Sequence, residues 1–81
     1  MKILFSERAW RDYKNLPLRL RKAADKQLDF LLRDLKHPSL RAKKYDEARD
    51  IWQARLSKDW RLYFKVRSEA YVIITIIKHP K

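Results

Sequence analysis

Glycine is absent from all 81 residues, and so is cysteine. Without cysteine, neither a disulfide nor a thiolate-held metal can support the fold. The two histidines, His37 and His79, lack the paired spacing of a structural zinc site. No metal and no cofactor are expected. Without glycine, the turns must be made by other residues, and Asn15, Asp59 and Ser68 are the expected stand-ins. Long apolar runs are missing too. The longest, Val72 to Ile77 with Thr75 inside it, is far too short to span a bilayer. The opening "MKILFSERAW" meets charges at Glu7 and Arg8 after three apolar residues, unlike an export signal. A cytoplasmic protein without a membrane partner is expected. Acidic residues are scarce: ten Asp+Glu against 21 Lys+Arg leave a formal charge of +11. That balance points to a polyanionic partner, or to an acidic protein that masks the charge, and says nothing about fold.

What is present suffices for one domain over residues 1–81. A hydrophobic fraction of 46%, with three Trp, four Tyr and three Phe, argues against a disordered basic tail. A chain of this size buries only somewhat more than about 60% of the surface it exposes when unfolded, so its stability margin is thin.

Ile3 to Phe5 reads as a brief strand closed by Ser6, which can N-cap a helix. Ala9, Tyr13 and Leu16 form one helical stripe with Trp10 beside it, and Pro17 starts a new helix. In that second helix Leu20, Ala24, Leu28, Leu31 and Leu35 step by three or four residues, Leu32 widens the stripe, and basic residues fill much of the rest. Pro38 is expected to end it at "HP", with His37 as a C-terminal helix charge. Residues 39–50 have no clean period and read as a connecting loop with some extended structure. Two strands of a hairpin and a final strand, Tyr71 to Ile77, complete the chain. The final strand is apolar on both faces, as for a strand covered or flanked on both sides.

The hairpin "IWQARLSKDWRLYFKV" can be sorted by parity, because opposed residues of an antiparallel pair share a face. A two-residue loop at Lys58–Asp59 would set Ser57 against Trp60 and Arg55 against Leu62, mixing polar with apolar. A three-residue loop, Lys58–Asp59–Trp60, sets Ser57 against Arg61, Arg55 against Tyr63 and Gln53 against Lys65. Leu56, Ala54 and Trp52 then oppose Leu62, Phe64 and Val66 on the other side. Complete sorting favours the three-residue loop. Arg55 and Arg61 become diagonal neighbours on a face without acids. Like charges this close destabilise a small domain unless an anion sits between them, and planar guanidiniums suit a phosphate. A solvated strand face that blunts edge pairing fits the composition as well, and so does a charge-matched protein partner. His79, after the last strand, is a candidate proton-transfer group near neutral pH or a surface histidine at a frayed end.

The order β-α-α-loop-β-β-β, with the helical hairpin first and basic strands after, resembles the RelE/ParE toxin superfamily of bacterial and archaeal toxin–antitoxin modules. The stretches that carry the resemblance are "FSERAWRDYKNLP", "LKHPSLRAKKYDEARDIWQARLSKDWRLYFKV" and "YVIITIIKHPK". It implies an α+β, RelE-like fold, an N-terminal helical hairpin packed on a small, mainly antiparallel sheet. It also implies a ribosome-dependent endoribonuclease that cuts mRNA without metal through attack of the 2′-OH on the scissile phosphate. Arg61 falls on the arginine of the family's hydrophobic-Arg-hydrophobic third strand, similar to its transition-state phosphate clamp. Arg55 lies where many members carry a lysine or arginine, and His79 where relatives have a His-Arg or Lys-Arg pair. Arg55, Arg61 and His79 are therefore the candidate catalytic residues. Lys44, Gln53, Lys58, Tyr63, Lys65, Lys78 and Lys81 are the candidate RNA contacts.

Three positions depart from the family pattern. Gln53 stands where some relatives have a second basic residue, Pro80 replaces the basic partner of His79, and the chain ends at Lys81 before a tyrosine often supplied there. Reduced or absent nuclease activity is compatible with these departures. The gyrase-inhibiting branch shares the fold and lacks the nuclease set. An inhibitor of DNA gyrase, or a basic nucleic-acid-binding module without toxicity, are the alternatives. The toxin readings imply a cognate antitoxin, acidic or of mixed charge, forming a toxin–antitoxin hetero-oligomer.

Overall fold

Ser6 closes strand β1 (Lys2–Phe5) and opens helix α1 (Glu7–Lys14) in the computed structural model, which describes residues 1–79. Its Oγ accepts from the Ala9 N–H at 3.0 Å, the expected N-cap, and donates to the Ile74 carbonyl at 2.8 Å. Asn15, Leu16 and Pro17 turn the chain into helix α2 (Leu18–Arg33). A 3₁₀ helix (Pro38–Leu40), β2 (Lys43–Asp46), β3 (Ile51–Arg55), β4 (Trp60–Val66) and β5 (Ala70–Lys78) follow. The sheet runs β1-β5-β4-β3-β2, with β1 parallel to β5 and the other pairs antiparallel. No helix among the described residues is long and apolar enough to cross a membrane.

The helical stripe packs on one face of this sheet. Leu20, Ala24, Leu28 and Leu31 are buried against Leu62, Phe64, Ile73 and Ile76. A bulge where Tyr63 pairs with Thr75 but Phe64 pairs with Ile73 lets both Ile73 and Ile76 reach that core. β1 ends at Phe5 while β5 runs on, which leaves part of the β5 edge without a strand partner. Helix α1 covers it: Asp12 Oδ2 accepts from Ile76 N–H at 3.0 Å and Thr75 Oγ1 at 2.8 Å. β5 is thus flanked by strands on both sides, but its second face, with Val72, Ile74 and Ile77, is half-buried and uncovered by helix.

Three local expectations are corrected. Helix α2 stops at Arg33 rather than at His37-Pro38, because Asp34 leaves the helix (φ −163°, ψ 105°). The Asp34 carboxylate then accepts from the Lys36 N–H at 2.9 Å, a side-chain turn that competes with the helix. His37 is not a helix C-terminal charge. Its Nδ1 accepts from the Ser39 N–H at 3.1 Å, capping the 3₁₀ helix, and its ring stacks on Phe30. Leu32 does not widen the buried stripe; it is exposed. Asn15, Asp59 and Ser68 stand in turns or bends, while the left-handed positions among the described residues are Arg41 (φ 47°) and Asp50 (φ 56°). A residue with a Cβ costs roughly 1–2 kcal/mol in that conformation, and Arg41 closes the 3₁₀ helix with it.

Candidate functional site

The hairpin face that parity sorted is the floor of the site, in a different register. Arg55 pairs with Arg61, Gln53 with Tyr63, Ala54 with Leu62 and Trp52 with Phe64. The reversal lies one residue earlier, over Ser57–Lys58–Asp59, with Leu56 and Ser57 N–H both donating to the Trp60 carbonyl. The offset of two keeps every side chain on its expected face and changes only its neighbour. Trp60 gains from the change: it enters β4 and packs its indole against the core instead of holding it in a turn. The two arginines are directly opposed rather than diagonal, a like-charge pair that costs about 0.2–1 kcal/mol in a sheet. Arg61 Nη1 donates to the carbonyls of Ser57 (2.8 Å), Trp60 (2.9 Å) and Lys58 (3.2 Å). One arm of the guanidinium thereby stiffens the loop that glycine would otherwise shape.

Two further cations arrive from the segment read as a loop. Residues 43–46 form β2, which pairs Lys43 with Gln53 and so sets Lys43 on the arginine face. Arg41 precedes it in its left-handed turn. A cavity of about 220 Å³ results, lined by Arg41, Lys43, Gln53, Arg55 and Arg61. Four cations and one amide surround it, with no carboxylate among the lining residues. Neither Arg41 nor Lys43 was singled out from sequence. The only signal was alternation of Arg41 and Lys43 in "RAKKYD", which the following bulge obscures.

A buried amide holds the cavity wall. Gln27 on α2 is 4% exposed, the one polar side chain in the core among the described residues. Its Nε2 donates to the carbonyls of Arg55 (2.6 Å) and Ser39 (3.0 Å), and its Oε1 accepts from Ser39 Oγ (3.0 Å). The end of β3 and the 3₁₀ helix are thus fixed to the same side chain, which ties the segments carrying Arg55 and Arg41 to each other.

Comparison with known proteins adds identity to this geometry. The family model described as "ParE toxin of type II toxin-antitoxin system, parDE" matches residues 3–81. The chain belongs to that ParE toxin family. Comparison with curated protein sequences gives no match. Among solved structures, the YoeB/ParE toxin from Agrobacterium tumefaciens superposes with a TM-score of 0.83 at 15% identity, covering 99% of this chain and 100% of that one. The isolated E. coli RelE toxin gives 0.78 at 23% identity over 98% of this chain and 84% of that one. The heterotetrameric YoeB-YefM toxin-antitoxin complex from Staphylococcus aureus gives 0.80 at 21% identity, covering 96% and 95%. At these identities the likeness shows the fold, an α+β toxin fold of two helices on a five-stranded mixed sheet.

The remaining candidates of this ParE-family chain are scattered. Position 79 follows Ile77 in the alternation, and the His79 N–H donates to the Asp59 carbonyl at 2.6 Å, so His79 stands beside the hairpin loop. It does not line the cavity. Tyr63 is on the site face but only 7% exposed, under the ring of Tyr45 at 4.9 Å. Burial, followed by the neighbouring Tyr45, pushes its hydroxyl pKa up, so it stays a neutral donor. Lys44 pairs with Trp52 on the opposite face, with Nζ 2.5 Å from Asp50 and over the Trp52 ring. Lys65 lies two residues beyond Tyr63, where its charge acts on Asp50. Lys58 is exposed in the loop, and Lys78 pairs with Trp60 near the end of β5. Lys81, with Pro80, lies outside the described residues.

Proposed function

We propose that this ParE-family chain is a toxin that cleaves mRNA on the ribosome, using the cationic cavity to hold the scissile phosphate. The observation that carries the reading is the lining: Arg41, Lys43, Arg55 and Arg61 around Gln53, with no acid between them. Such a cluster repels itself until an anion enters, and the repulsion is relieved most when the anion's charge grows. Attack of a ribose 2′-OH on the adjacent phosphorus raises the negative charge on the phosphoryl oxygens. Fixed guanidiniums aimed there stabilise the transition state more than the ground state. The P–O5′ bond breaks, leaving a 2′,3′-cyclic phosphate and a 5′-OH; the 2′-OH loses one proton and the 5′ oxygen takes one up. His79, beside the loop that Arg61 braces, is the candidate group for one of those transfers. The antitoxin that accompanies such a toxin would neutralise the same face, and the YoeB-YefM complex shows a protein of this fold held by one.

A second reading is favoured by a specific observation. The matching family model is that of the ParE toxins, and Arg61 already spends one arm on loop carbonyls. A non-enzymatic inhibitor of DNA gyrase would need the fold and the charge but no proton transfer. Induced expression separates the two. On the nuclease reading protein synthesis stops first, and Arg61→Ala restores growth. Unimpaired translation with induction of DNA-damage signalling would replace it with the gyrase reading.

A further inference from the structure

Beside the cationic cavity, on the same uncovered face of the sheet, lies a second cleft of about 190 Å³. Its walls include Tyr45, Ile51, Tyr63, Thr75 and Ile77. The two hollows share strands: Arg61 pairs with Ile77, and Tyr63 pairs with both Gln53 and Thr75. Neighbouring strands are about 4.8 Å apart, and same-face residues along a strand about 6.8 Å. The cleft therefore begins a few ångströms from the cavity, the reach between a phosphate and the base of the same nucleotide.

Tyr45 is the distinctive residue. β2 pairs Lys44 with Trp52 and Asp46 with Ile51, so Tyr45 is the unpaired extra residue of a bulge. Bulges re-aim side chains, and this one raises Tyr45 onto Tyr63 while leaving it 61% exposed. The ring is propped edge-on against a second ring beside an isoleucine floor, and it leaves flat aromatic surface open to solvent. The polar rim is already used: Asp46 accepts from the Arg49 N–H and Nε, at 3.1 and 2.8 Å. Flat apolar surface beside a cationic cavity suits a nucleobase, whose π-face any aromatic ring can receive irrespective of sequence.

We propose that the Tyr45–Ile77 cleft is a base-stacking subsite, which seats the base of the nucleotide whose phosphate occupies the Arg55–Arg61 cavity. The subsite rests on the reading of that cavity as a phosphate site. It makes RNA binding here bipartite, with the cations holding the backbone and the cleft adding affinity through the base.

The test uses the full chain and two short RNA-like probes. One is a 2′-O-methyl tetranucleotide, which cannot be cleaved; the other is the same backbone with abasic positions. In amide chemical-shift mapping both probes are expected to move Lys43, Arg55 and Arg61, and only the base-bearing probe to move Tyr45, Ile51 and Ile77. Tyr45→Ala is expected to weaken the base-bearing probe by roughly 5- to 100-fold, leave the abasic probe unchanged, and be rescued by Tyr45→Phe. The proposal is overturned if Tyr45→Ala affects both probes alike or neither, or if Ile51 and Ile77 stay still. It is also overturned if an apolar peptide fills the cleft while the base-bearing probe moves only cavity amides, which assigns the cleft to a protein partner. If neither probe moves Arg55 or Arg61, the phosphate reading falls as well.

Discussion

Replacing Gln27 with leucine keeps the side-chain volume and removes every polar atom that joins α2 to the site wall. The Arg55 carbonyl, the Ser39 carbonyl and Ser39 Oγ each lose a partner now held at 2.6–3.0 Å. An intramolecular hydrogen bond contributes about 0.5–1.5 kcal/mol net, and a buried group left unpaired costs about 1–3 kcal/mol. Ser39 is exposed, so water can serve its hydroxyl and carbonyl, whereas the part-buried Arg55 carbonyl loses the shortest of the three bonds. The leucine also gains apolar contact, which offsets part of the loss. The net cost comes to about 2–3 kcal/mol. Against a total of roughly 0.05–0.15 kcal/mol per residue, this is a large fraction of the stability. Urea unfolding followed by circular dichroism should show the midpoint falling by roughly 1–2 M at an unchanged slope. Because Gln27 sets the distance between the 3₁₀ helix and β3, oligonucleotide affinity should drop as well, although Gln27 touches no ligand. A midpoint within about 0.3 M of the parent would mean that the amide is not the tie described here.

Arg61→Ala should reduce cleavage by about 100-fold or more, as for loss of a transition-state donor. It should also lower stability by about 1 kcal/mol through the loop carbonyls; single-turnover cleavage and urea titration check the two effects separately. Arg41→Gly should raise stability by up to about 1 kcal/mol by relieving the left-handed backbone, while weakening phosphate binding by one cation, read by calorimetry. The hydrogen bond from Lys44 holds the Asp50 carboxyl below its usual range. Its stabilising effect is present above the unfolded-state value of about 4 and is lost as pH falls. Asp50→Asn should therefore flatten the acid limb of a thermal-stability profile, weakly, since the pair is exposed and screened by salt.

The helices were legible because their apolar period is long and unbroken: Leu20, Ala24, Leu28 and Leu31 are buried as the spacing requires. The faces of β3 and β4 were legible for the same reason, since alternation needs no knowledge of partners. Register was not. Shifting the hairpin by two residues preserves each face, so parity cannot distinguish Arg55 opposite Tyr63 from Arg55 opposite Arg61. Trp60, which gains contact by entering the strand, decided the matter. β2 was hidden by the Tyr45 bulge, which breaks the alternation after Lys44 and leaves only Lys43 and Lys44 in regular register. Half of the cationic cavity was hidden with it, because Arg41 and Lys43 meet Arg55 and Arg61 only through that pairing. A strained arginine in a left-handed turn leaves no local pattern either, since glycine or asparagine would be the ordinary choice. Nothing local marks Gln27, because its acceptors lie 12 and 28 positions away.

The decisive measurement is the mapping of mRNA 5′ ends after induction of the chain, beside the Arg61→Ala variant and a gyrase supercoiling assay. Phosphate cleavage in the Arg41–Arg61 cavity predicts new 5′-hydroxyl ends within translated regions, absent with the variant, while gyrase continues to supercoil DNA. Intact messages with arrested supercoiling would contradict it and leave the cationic cavity as a protein-binding surface.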